Sequence, residues 1–81
     1  MRLPLEELAL LESAALRSET SEEHAEKCFD TVYELAESTG SVAALTATPE
    51  FARWMAARAE TDAAWGRWAQ CMDLVGGARP A

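Results

Sequence analysis

The chain has 81 residues, and fourteen acids against seven bases give it a net charge of −7. That length bounds it to one small domain, and that charge is the wrong sign for holding nucleic-acid phosphates. Hydrophobic residues make up 49%, and the presence of only four Gly and three Pro argues against a β-sandwich or a disordered tail.

The first expected helix starts near Pro4, where a first-turn proline is tolerated, and runs from Leu5 to about Arg17 through strong helix formers. Projected at 100° per residue, Leu5, Leu8, Ala9 and Leu16 share one face, while Leu10, Leu11 and Ala14 lie on the other. A helix apolar on two sides needs cover on two sides, from a partner or from a second copy.

Thr20-Ser21-Glu22-Glu23 fits a capping box that opens a second helix, which would run to about Thr39 and stop at Gly40. Its apolar arc is Ala25, Cys28, Phe29, Val32, Tyr33, Leu35 and Ala36. Glu23, Glu26, Lys27, Asp30, Glu34 and Glu37 form the opposite, acidic side. Ser41 to Ala47 reads as a short helical turn carrying Val42 and Leu45.

Thr48-Pro49-Glu50 is a strong helix start: a capping threonine, a first-position proline and an acid at the positive end of the dipole. From there Phe51, Trp54, Trp65, Trp68, Met72 and Val75 would align on one stripe. Arg58, Thr61 and Asp62 interrupt it, and predict a break near Glu60-Thr61 with Thr61 as a new cap. Gly76-Gly77 ends the last helix, so residues 1–77 form one domain and 78–81 a frayed tail.

The fold expected is an all-α, compact bundle of three to five short helices. Its core would contain Leu5, Leu8, Phe29, Val32, Leu35, Leu45, Phe51, Trp54, Trp65, Trp68 and Met72. The longest nearly apolar run, Leu8 to Leu11, is far short of the ~20 residues of a membrane span. Glutamates also break the apolar core that a signal peptide needs, so the expected location is cytoplasmic.

Chemistry has few candidate residues. His24 and Cys28 form an i, i+4 pair, a spacing that can present two ligands to zinc or a nucleophile with its base. The simpler reading makes Cys28 and Cys71 buried small side chains in a reducing compartment, with one long-range disulfide as the alternative. No phosphate-binding glycine loop is present, and nothing marks two glutamates as a tuned acid and base. No catalytic, cofactor or metal site is assigned, and the chain reads as a non-enzyme.

The charge asymmetry is more informative. Residues 1–40 carry ten acids and three bases, whereas residues 41–81 carry four of each. The leading expectation is therefore a regulator or inhibitor that occupies a basic, normally nucleic-acid-contacting surface of another protein. Its binding residues would be Glu22, Glu23, Glu26, Asp30, Glu34 and Glu37, anchored by Leu10 and Leu11. The alternative is a structural or assembly protein that pairs with its own copy through the first helix, with Leu10-Leu11-Ala14 as the contact.

Phe51-x-x-Trp54-Met55, Trp65 preceded by alanines, then Trp68, Met72, Val75 and Gly76, resemble the N-terminal domain of FecR-type anti-sigma regulators over residues 28–76. That resemblance implies a helical domain that binds a sigma factor. Arg58-Ala59 and Asp62 stand where the family shows Asp-Pro and His. His24-x-x-x-Cys28 also echoes part of the zinc anti-sigma motif, with Thr31 in place of its last cysteine. Sigma factors and nucleic-acid-handling defence complexes both fit as targets.

Overall fold

The computed structural model describes residues 4–36 and 41–76. Three helices follow one another: α1 (Pro4–Ala36), α2 (Val42–Thr46) and α3 (Pro49–Val75). Among the described residues there is no strand, and the all-α expectation holds.

The two long helices are continuous where the sequence predicted junctions. No glycine or proline interrupts residues 5–36, so nothing breaks α1 between Arg17 and Ser21. Thr20 caps nothing. Its Oγ1 donates to the Leu16 carbonyl at 3.2 Å, the back-bond that a threonine makes inside a helix. Thr61 does the same in α3, donating to the Ala57 carbonyl at 3.0 Å, and the expected break near residue 60 is absent.

The connection follows the expected chemistry. Ser41 Oγ accepts from the Ala44 amide at 3.1 Å and caps α2. Thr48 Oγ1 accepts from the Phe51 amide at 3.2 Å and donates to the Leu45 carbonyl at 2.8 Å, tying the end of α2 to the start of α3. Gly76 closes α3, its amide donating to the Met72 carbonyl at 2.8 Å. The expected stop at Gly40, the acid at Glu37 and the tail at 78–81 lie outside the described residues.

α1 and α3 pack side by side and run antiparallel. Phe29 meets Phe51 and Trp54 near one end, and Glu19 meets Trp65 farther along, so position in α3 rises as position in α1 falls. The covered residues of α1 include Leu8, Leu11, Ala15, Ser18, Glu22, Ala25, Phe29, Val32 and Ala36, spaced alternately by three and four. On α3 the corresponding run is Trp54, Ala57, Thr61, Ala64, Trp68, Cys71 and Val75. This is the repeat of a two-stranded coiled coil, folded back on itself.

The seam carries two aromatic clusters with a thin stretch between them. Phe29 stacks on Trp54 at 5.4 Å and meets Phe51 edge-on at 5.5 Å, while Trp65 and Trp68 meet edge-on at 5.4 Å. Among the described residues only Ala15, Thr61 and Ala64 are buried, and no large side chain is fully covered. The indole N–H groups of Trp54 and Trp68 are covered yet have no partner, which costs about 1–3 kcal/mol for each donor.

The core therefore differs from the expected one. Leu8, Phe29, Val32, Leu45, Phe51, Trp54, Trp65, Trp68 and Met72 are half-buried, as two helices can at best half-bury a large side chain. Leu5 and Leu35 are 69% and 80% exposed, because each lies beside the seam rather than in it. The molecule measures 57 × 26 × 15 Å, with a radius of gyration of 17.9 Å against about 12 Å for a compact chain of this length. It is elongated, because two helices of 33 and 27 residues replace the several short ones expected.

Two substitutions test this arrangement by urea unfolding followed at 222 nm. Thr20→Pro should cost about 3 kcal/mol, as in any helix interior, whereas a junction at residue 20 would tolerate it. Ala64→Leu should cost about 1–3 kcal/mol by forcing the seam apart.

Candidate functional site

The seam divides the hairpin into two long flanks of unlike character. One flank is marked by Trp65, whose Nε1 donates to Glu19 Oε2 across the helix pair at 2.8 Å. The opposite flank holds a cleft of ≈410 Å³ lined by Ala14, Arg17, Ser21, Ala56 and Glu60, with Ser18 and Ala57 at its floor. In a helix paired this way, residues seven apart return to the same flank with little drift. The contents of each flank follow from those markers.

On the Glu19 flank α1 places Glu12, Glu19 and Glu26, seven apart, and beside them Glu23 and Asp30. All five are exposed. Across the seam α3 adds Asp62 and one base, Arg58, which forms no ion pair among the described residues. The row from Glu12 to Asp30 spans about 27 Å of helix. Among the described residues, the one ion pair on this flank is Glu23 with Lys27 at 3.2 Å, and with both side chains mostly exposed it holds little energy.

The cleft flank has the other composition. Arg17, Arg53 and Arg67 lie there with Glu7 and Glu60. Arg53 approaches Glu50 at 3.9 Å, while Arg17, Arg67 and Glu60 have no ion-pair partner among the described residues. Small side chains line this flank between the charges.

The expected binding residues do not share one surface. Glu23, Glu26 and Asp30 stand together on the acidic flank, and Glu34 points away from α3 on the outer side of α1. Glu22 is half-buried in the seam opposite small residues, so it is a structural position rather than a contact surface. Leu11 is also a seam residue, and Leu10, 49% exposed, belongs to the cleft flank. The expected two-leucine anchor is thus split. Glu12, Glu19 and Asp62 complete the acidic flank and were absent from the expected set. The seven-residue spacing of Glu12, Glu19 and Glu26 was the signal that could have found them.

His24 and Cys28 do come together, Nε2 to Sγ at 3.8 Å, but both are exposed on one turn of α1. Among the described residues no three His, Cys, Asp or Glu side chains are grouped as a metal would need. Both thiols are free, and Cys28 is exposed rather than buried as expected. A disulfide between them within one chain is sterically out of reach. Cys28 adjoins Phe29, which stacks on Trp54, and Cys71 lies about 25 Å farther along α3.

No described helix is long and apolar enough to cross a membrane. No protein-family model, no curated protein and no solved structure matches the chain.

The bond from Trp65 to Glu19 fixes the acidic flank against α3. Trp65→Phe should lower stability by about 1 kcal/mol, and a double-mutant cycle with Glu19→Gln should recover most of that as coupling. A coupling near zero would mean that the two helices are not held in this register.

Proposed function

We propose that this hairpin is a non-enzymatic regulator that uses its acidic flank to occupy a basic surface of a protein partner. The observation that carries this reading is the segregation of charge: Glu12, Glu19, Glu23, Glu26, Asp30 and Asp62 face one way against Arg58 alone. Carboxylates spaced along a straight helix mimic a row of phosphates, so a surface that normally contacts nucleic acid is the chemically matched target. Such a field speeds encounter and selects the partner, while apolar contacts supply the lasting affinity. Leu5 and Leu16, exposed on the same flank at 69% and 49%, and Tyr33 at 50%, are the side chains available for that anchoring.

A sigma factor or a nucleic-acid-handling defence complex fits this description. The FecR-like residues Phe51, Trp54, Trp65, Trp68 and Met72 support the first choice only as packing positions, since all are half-buried at or beside the seam. The exposed thiol of Cys28 is compatible with the reducing cytoplasm. The expected compactness belongs to the same reading, because a partner laid along a flank would complete the bundle that two helices leave open.

The test is capture by a tagged copy from a lysate of its host, washed at rising salt. A protein whose own nucleic-acid binding falls as the chain is added, and which elutes as salt screens the field, is the expected catch. Glu12→Lys with Glu26→Lys should lose it and keep the helical content. Retention by that variant, or recovery of the chain's own copies alone, would contradict the reading.

A further inference from the structure

Independently of that reading, we propose that His24 and Cys28 form half of a zinc site, and that two copies of this chain complete it by sharing one ion. One turn of α1 sets His24 Nε2 3.8 Å from Cys28 Sγ. Zinc holds a histidine nitrogen at about 2.0–2.1 Å and a thiolate at about 2.3 Å, so a tetrahedral ion separates two such ligands by about 3.6 Å. The pair thus already stands close to the spacing at which both atoms hold one ion. Because both project from one turn of a continuous helix, little has to be ordered when the metal arrives.

The two side chains are also free to bind. Both are exposed, and among the described residues neither has a partner apart from the other. Along the same face their neighbours are Thr20, Ser21 and Thr31, all small and exposed. Thr20 and Thr31 turn their hydroxyls back to the Leu16 and Lys27 carbonyls, and the Lys27 amine is drawn away to Glu23 at 3.2 Å. A second helix can therefore approach this turn without meeting a bulky side chain or an unengaged amine. Thiolate with imidazole selects zinc over magnesium or calcium, which take oxygen ligands.

The number of ligands requires the second copy. A structural zinc takes four protein ligands, and among the described residues no third His, Cys, Asp or Glu joins the pair within one chain. A two-fold axis through the ion and across α1 supplies the same two side chains again, with each His24 opposite the Cys28 of the other copy. Two thiolates balance the divalent ion, so the closed site adds no net charge. His24 and Cys28 follow Arg17 and Ser21 of the cleft flank by seven residues each, so the joined copies leave both acidic flanks open.

Cobalt titration of the reduced full chain tests this. Cobalt should develop the sulfur-to-metal charge-transfer band and the strong visible absorption of a tetrahedral thiolate site, saturate at one ion for two chains, and be displaced by zinc. Sedimentation equilibrium should move from 8.8 kDa to twice that mass when zinc is added, and return on chelation. Cys28→Ser and His24→Ala should each weaken zinc binding by more than about 100-fold, beyond what loss of a merely supporting residue costs, with helical circular dichroism unchanged. Cys71→Ser should bind as the wild type does. Saturation at one ion for each chain, cobalt absorption without a thiolate band, a mass that zinc leaves unchanged, or zinc binding that survives Cys28→Ser or is lost in Cys71→Ser would each overturn the proposal.

Discussion

The close approach of α1 and α3 at Ala15, Thr61 and Ala64 governs the rest of the molecule. These are the buried residues of the described chain, and none has a side chain larger than threonine. A seam this thin cannot keep water from the large residues along it, so both aromatic clusters remain half-exposed. Burying these three methyl groups contributes about 0.8 kcal/mol for each carbon, a small return along some 40 Å of paired helix. Marginal stability as an isolated hairpin follows directly.

The same thinness produces the two flanks. A bundle with a thick core hides the sides of its helices, whereas a two-helix hairpin shows nearly all of them. With a seven-residue register, each flank inherits every seventh residue of both helices. Five acids of the first half, Glu12, Glu19, Glu23, Glu26 and Asp30, thereby fall on one flank, and Arg53 and Arg67 of the second half on the other. Glu19 and Trp65 mark one side, and Arg17 and Glu60 the other. The functional reading of the acidic surface rests on this sorting.

Helix content, the caps at Ser41 and Thr48 and the stop at Gly76 were legible in the sequence, because each depends on local chemistry. The continuity of α1 and α3 was not. Thr20 followed by Glu23 has the form of a capping box, but the same threonine can bond to its own helix four residues back, and only tertiary packing decides between them. The seam was hidden for a related reason: Ala15, Ser18, Glu22 and Ala25 occupy its middle on α1, and none reads as hydrophobic periodicity. Once helices are assumed to break at 17 and 60, the repeat on either side is too short to recognise. Leu10 and Leu11 were read as neighbours on one face, although a coiled-coil seam takes the second and leaves the first outside.

Residue-resolved amide hydrogen exchange tests the central claim, that small residues in mid-seam join two uninterrupted helices. Amides at 17–21 in α1 and at 59–63 in α3 lie where the seam is thinnest and where the sequence suggested junctions. The account predicts protection there comparable with that of the flanking turns, lost together with them in one cooperative opening. Rapid exchange confined to those two segments, with protected helices on either side, would show that the helices are broken and would contradict the hairpin, its flanks and everything drawn from them.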